Sequence, residues 1–269
     1  MNVAQVYEDE LREYLPINFK GLRFKPLPVK RFALYQNAKA AMELMLSSLP
    51  VRYVRFSWIQ ALDALDREAE REQMRPGYLS SILLLLNDAL ELNAVQNPQA
   101  LMIARDKDGK LASIIVQQTM GTPTVLDSND MNTVRELLAA QNGYEVPDEN
   151  WNPELVRAQQ YLREQRSQGG GGSLEDAVCA LAAATGFRVK EIWNWPIREY
   201  LGEQEAVDRR LRFQIYTAAE LSGQVKFKHG NPYPTWICKS KGDLPAGFTS
   251  LKELDEGAKG LLAIPQDDT

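Results

Sequence analysis

Four consecutive glycines, Gly169-Gly170-Gly171-Gly172, constrain this chain more than any other stretch. A run without side chains has nothing to bury, and glycine gives up the most backbone freedom on ordering, so the run suits neither a core helix nor a strand. It reads as a flexible joint. The chain restarts at once beyond it: Ser173 is a helix cap, and Asp176 three residues on is a weaker relative of the Ser-x-x-Glu capping box. The expected organisation is a mixed helix and strand region over 1–166, a glycine-rich linker over 167–173, and a helical region over 174–269 with an extended basic and aromatic arm.

Upstream of the joint the apolar spacing is mostly helical. Residues 3–14 place Val6, Leu11 and Leu15 roughly on one face, before Pro16. Residues 21–28 alternate apolar and basic side chains, as an edge strand would. A helix is expected over 29–49, with Phe32, Tyr35, Met42, Met45 and Leu49 near one stripe and Pro50 closing it. Val51 to Phe56 reads as a short strand or a lead-in to the next helix. Ser57 caps a helix over 58–72, whose run Asp66-Arg67-Glu68-Ala69-Glu70-Arg71-Glu72 reads as a solvated face. Residues 78–93 are apolar almost all round, which places that helix centrally.

A small antiparallel β-hairpin unit is expected near 100–126: apolar Ala100 to Ala104, the turn Asp106-Lys107-Asp108-Gly109, a return over Leu111 to Val116, and a third short strand at Val125-Leu126. Asp127 or Ser128 then caps a helix over 130–141 that ends at Asn142-Gly143. Asn152-Pro153-Glu154 starts a polar helix reaching about Arg166. Beyond the joint come a helix over 174–184 stopped by Gly186, a short one over 188–194, one from Pro196 to about Tyr200, and a long one over 203–222 carrying Val207, Leu211, Ile215 and Ala218. Gln224 to Lys228 reads as a strand or extended arm, with at most a short terminal helix after it. The fold class is therefore α+β, predominantly α-helical.

Charge and chemistry narrow the function. The net charge of −5 argues against broad binding to nucleic acid, which depends on neutralising phosphates with Lys and Arg. The two cysteines, Cys179 and Cys238, form no metal-binding spacing and read as free thiols. His229, the single histidine, lies in a turn-like Lys-His-Gly-Asn and has no nucleophile elbow with it. The Asp106 to Lys110 turn fails as an EF-hand, because Lys110 and Gln117 stand where oxygen ligands are needed. The glycine run is not followed by Lys and makes no phosphate cradle. No catalytic, cofactor-binding or metal-binding residue is expected.

The first residues, Met1-Asn2-Val3-Ala4-Gln5, lack the basic and apolar regions of a leader, and the apolar run Ile82 to Leu86 is far too short to span a bilayer. The expectation is a protein of the cytoplasm, or of a particle assembled there, with no membrane partner.

One region carries a binding signal. Arg209, Arg210, Arg212, Lys226, Lys228, Lys239 and Lys241 lie near Phe227, Tyr233 and Trp236. Basic residues interleaved with aromatics can bind single-stranded nucleic acid by stacking and charge. They equally suit a protein interface whose aromatics pack on the preceding helix, and the acidic whole favours that reading. The candidate partner-binding residues are Leu211, Ile215, Tyr216, Phe227, Tyr233 and Trp236.

Two stretches carry a resemblance. One is Val134 to Gly143 (VRELLAAQNG) with Val146-Pro147-Asp148 and Asn152-Pro153-Glu154-Leu155; the other is Leu211 to Lys228 (LRFQIYTAAELSGQVKFK) with Pro234-Thr235-Trp236. Both resemble proteins of the structural and tail modules of tailed bacteriophages and prophages. The likeness spans roughly residues 100–240 and contains no catalytic motif. It implies a non-enzymatic tail assembly chaperone or minor virion protein in the host bacterial cytoplasm or the virion. Its implied partners are tail proteins (tube or tape-measure) or further copies of itself, as an oligomer. Tail assembly chaperones of many long-tailed phages occur as a short form and a frameshifted long form, and a glycine joint suits that plan. An ordinary linker, or an engineered Gly-Gly-Gly-Gly-Ser replacement of a loop, fits it as well.

Overall fold

The computed structural model describes residues 3–72, 77–92, 97–118, 122–144, 146–147, 172–223, 227, 231–233 and 235–237. The chain is α+β and mainly helical, with two small antiparallel sheets. It divides into two compact units. The first holds Met1–Pro153 with Asp176–Glu205, and the second Glu154–Glu175 with Ala206–Thr269.

The first unit opens with two short helices, α1 (Val3–Val6) and α2 (Glu8–Arg12), rather than one. Val3 and Leu11 are buried, whereas Val6 and Leu15 are about half exposed, so the expected stripe holds only at Leu11. A hairpin follows, β1 (Ile17–Phe19) against β2 (Leu22–Phe24), turning through Lys20 and Gly21, both at positive φ. The alternation at 21–28 therefore yields a strand of three residues, and its partner β1 was not foreseen.

Helix α3 (Phe32–Glu43) is shorter than expected, because Leu44 turns to extended backbone and Leu46–Ser48 is a separate 3₁₀ turn. Tyr35, Met42 and Met45 are buried as the stripe requires. Val51–Tyr53 forms another 3₁₀ turn. Helix α4 (Trp58–Arg71) starts with a full capping box: the Gln60 amide donates to Ser57 Oγ, and the Gln60 side chain accepts from the Ser57 amide. Helix α5 (Tyr78–Ala89) is central as expected, burying Leu79, Ile82, Leu85, Leu86 and Ala89 against α3 and α4.

The expected β unit is present as β3 (Leu101–Arg105), β4 (Leu111–Val116) and β5 (Thr124–Asp127) in that spatial order. Its register opposes Ile103 to Ile114 and Ile114 to Leu126, putting branched side chains across neighbouring strands. Asp106 shapes the turn, its Oδ1 accepting from the amides of Asp108 and Lys110. Asp127, not Ser128, caps α6 (Ser128–Gln141), which begins two residues earlier than read. Gly143 follows at φ +75°, a left-handed conformation that favours glycine, with the Arg198 backbone in van der Waals reach of its missing Cβ.

The last turn of α3 is where the core is tied together. Trp58 is buried on α4 and donates its indole N–H to the Ala41 carbonyl at 3.0 Å. Arg135, buried on α6, donates from Nε to the Met42 carbonyl and from Nη2 to the Leu44 carbonyl, both at 2.8 Å. Its guanidinium lies 4.9 Å from the Trp58 ring. Carbonyls at a helix end lack intrahelical donors and carry partial negative charge, so a buried cation there replaces water as their partner.

Among the described residues three helices follow residue 172: α7 (Leu174–Thr185), α8 (Val189–Ile192) and α9 (Ile197–Leu221). The expected break near Tyr200 does not occur, and α9 runs on through Gly202, whose missing Cβ faces open space. Residues 195–197 lie antiparallel to 27–29: the Val29 amide donates to the Trp195 carbonyl at 2.9 Å and the Ile197 amide to the Leu27 carbonyl at 2.8 Å. Tyr200 packs edge-on to Phe32 at 6.2 Å, and Arg198 donates to the Ala140 carbonyl at the end of α6. These contacts are why Asp176–Glu205 belongs with the first 153 residues rather than with the C-terminal region, as the sequence reading had it. The expected helix over 152–166, Gly169 to Gly171 and the terminal helix lie outside the described residues.

Candidate functional site

The second unit contains the part of α9 from Ala206 onward and the described residues that follow it. One turn of α9 sets its chemistry. Asp208 and Arg212, four residues apart, pair at 2.7 Å with the acid N-terminal, the favoured order on a helix. Arg212 Nη1 also donates to Tyr233 Oη at 3.2 Å, and its guanidinium lies 5.7 Å from that ring. The hydrogen bond to Tyr233 and the Asp208 carboxylate hold the Arg212 pKa above its usual value.

Tyr216, one turn on, is the centre of an aromatic clasp. Its ring stacks on Phe227 at 5.5 Å and 28°, and meets Tyr233 at 4.9 Å and 60°. The returning segment is shaped locally: the Tyr233 amide donates to Asn231 Oδ1 at 2.9 Å, and the Ile237 amide to Thr235 Oγ1 at 3.2 Å. Asn231 Nδ2 reaches Glu220 Oε2 at 3.1 Å and closes the segment onto the helix.

The six sequence-predicted residues thus fall into two groups. Tyr216, Phe227 and Tyr233 are brought together and are partly spent on one another. Leu211 and Ile215 stay 49% and 64% exposed, and Trp236 43%. Leu211 and Ile215 are four residues apart and share a helix face. Sequence reasoning missed Ile237, which is 79% exposed beside Trp236 and whose only sequence signal was an apolar residue in a polar arm. It also missed the commitment of Arg212 to Asp208 and Tyr233, which the i, i+4 spacing of acid and base could have shown. Of the basic set, Lys226, Lys228, Lys239 and Lys241 lie outside the described residues, as do His229 and Cys238.

Elsewhere, one charge network sits in the first unit. Asp63 is buried on α4 and accepts a bidentate pair from Arg105 at 2.7 and 2.9 Å, and a further bond from Arg67 at 2.7 Å. Arg67 also donates to the Gly109 carbonyl, so the network fastens α4 to the β3–β4 turn. The charged run after Asp63 is therefore not wholly a solvated face. Asp66 accepts from the amides of Tyr78 and Leu79 and so caps the start of α5.

Among the described residues no group of three or more His, Cys, Asp or Glu side chains could hold a metal ion, and no helix is long and apolar enough to cross a membrane. Compared with protein-family models, curated proteins and solved structures, the chain matches none.

Proposed function

We propose that this chain is a non-enzymatic protein of the tail module of a tailed bacteriophage, working through protein–protein contacts as a tail assembly chaperone or minor virion component. The observation that carries the contact part is the row of Leu211 and Ile215, left about half or more exposed beside a Tyr216 that is locked in its clasp. Single exposed apolar side chains are ordinary on any surface. Here two share a helix face, and Trp236 and Ile237 of the same unit are exposed as well. Rigid aromatic and arginine anchors supply most of the energy at protein interfaces, and the clasp fixes such groups in place before any partner arrives. The phage setting rests on the resemblance of residues 134–155 and 211–236. The partner is a tube or tape-measure protein, or a second copy of the chain, in the host cytoplasm or the virion.

Deletion of residues 224–240 tests the reading. Tail proteins co-expressed with the full chain are expected to co-purify with it, and the deletion is expected to abolish that capture while the far-ultraviolet spectrum and melting of the first unit persist. Undiminished capture by the deleted chain would sink the proposal.

A further inference from the structure

Residues 51–56, Val-Arg-Tyr-Val-Arg-Phe, alternate like a strand but fold as a 3₁₀ turn with a following residue in helical geometry. In a 3₁₀ turn, positions three apart eclipse one another. Val51 and Val54 therefore share one side, 86% and 69% exposed. Tyr53 and Phe56 share another, their rings edge to face at 5.7 Å. With α4 and the start of β4, these two rings line a cavity of about 230 Å³ whose apolar floor is completed by Ala64 and Leu111.

Its charge is lopsided. Arg52, Arg67, Arg71 and Lys110 line it, against Asp63 and Glu68 alone. Both carboxylates are already taken, Glu68 by Arg52 at 2.6 Å and Asp63 by Arg67 and Arg105. Arg71 and Lys110 make no ion pair among the described residues, and the Lys110 ammonium lies 5.2 Å from the Phe56 ring centroid. Tyr53 is 1% exposed and its hydroxyl lies beside Glu68 and Arg52, with no hydrogen bond of good geometry among the described residues. Burial first, then Glu68, holds this phenol above its ordinary pKa. An excess of cations over a ring-lined floor, in a protein of net charge −5, is a local preference for anions attached to an apolar body. The volume is below that of ordinary small-molecule sites and suits one docked side chain.

We infer that this pocket docks an acidic peptide segment of a partner protein. One apolar side chain of the segment rests on the Phe56 ring, which the buried Tyr53 backs, a neighbouring carboxylate faces Arg71 and Lys110, and Val51 and Val54 extend the contact outside. The inference rests on reading the chain as one that works by protein contacts, but it concerns a surface of the first unit only.

Fluorescence anisotropy of the full chain with a labelled Gly-Asp-Phe-Asp-Leu-Gly peptide, beside its Gly-Asn-Phe-Asn-Leu-Gly counterpart, tests it. The acidic peptide is expected to bind about tenfold more tightly than the neutral one, and more weakly as salt rises. The double variant Arg71→Glu/Lys110→Glu, changed at two exposed positions, is expected to lose about tenfold in affinity for the acidic peptide with an unchanged melting temperature. No binding of the acidic peptide, equal binding of the two peptides, or unchanged affinity in the double variant overturns the inference. So does displacement of the peptide by inorganic phosphate or a short thymidine oligonucleotide, which would assign the pocket to phosphate groups. The assay uses no tail protein, and deletion of 224–240 leaves every pocket residue in place, so either proposal can fail without the other.

Discussion

Arg135 in the first unit and Arg212 in the second solve the same problem in opposite surroundings. Each sets a guanidinium against an aromatic ring, Trp58 at 4.9 Å and Tyr233 at 5.7 Å. Arg135 is 5% exposed and reaches two helix-end carbonyls, whereas the Arg212 side chain is 36% exposed and reaches a carboxylate and a phenol. Charged hydrogen bonds away from water contribute about 1.5–3 kcal/mol each, while an exposed ion pair on a helix contributes roughly 0.3–0.5 kcal/mol. The first arrangement holds a core together. The second only positions a surface, and a surface fixed at low cost is suited to meeting a partner.

The largest test of that contrast is Trp58→Ala, which removes a buried ring, the bond to Ala41 and the platform under Arg135. It is expected to lower stability by about 3–5 kcal/mol in urea unfolding. Arg135→Met keeps the stem but leaves the Met42 and Leu44 carbonyls without their donor, at a cost of roughly 2–4 kcal/mol. A loss under about 1 kcal/mol would show that water replaces the guanidinium freely.

Tyr216→Ala should be milder and local. It removes both ring contacts of the clasp, about 1–2 kcal/mol together. Amide exchange around residues 231–237 should quicken about tenfold, with α4 unchanged. Unaltered exchange there would mean that the rings do not hold the segment.

The smallest effect is one of pH. The Asp127 carboxylate is held below its usual pKa, chiefly by the Asp130 amide it caps. A depressed carboxylate stabilises the fold above the unfolded value of 3.8 and loses that contribution as the pH falls through the lower folded value. Asp127→Ala should therefore be less stable than the natural chain at pH 6, and the difference should shrink towards pH 3.

Features with short-range causes could be read directly. The β3–β4 hairpin follows from alternation around Asp106 to Gly109, and the caps at Ser57 and Asp127 from a side-chain acceptor before an apolar run. What escaped depends on partners distant in sequence. Nothing near Arg135 says that it will be buried under α3, and nothing near Asp63 announces Arg105. The sequence suggests a break after about Tyr200, but strong helix formers on both sides of Gly202 carry α9 through. In the candidate site, the aromatic residues were legible from composition, whereas which of them face one another and which face solvent depends on how the arm turns at Asn231.

The bridge between residues 27–29 and 195–197 also sets a timetable. Lys30 and Asn194, which meet at 3.2 Å beside it, are 164 positions apart. A ribosome adding about 5–20 residues per second needs on the order of ten seconds or more to cover that distance. Throughout that interval the Leu27 carbonyl and the Val29 amide wait without their final partners, and Phe32 without Tyr200. The first unit, although most of it is made early, thus cannot be finished until synthesis has passed Tyr200.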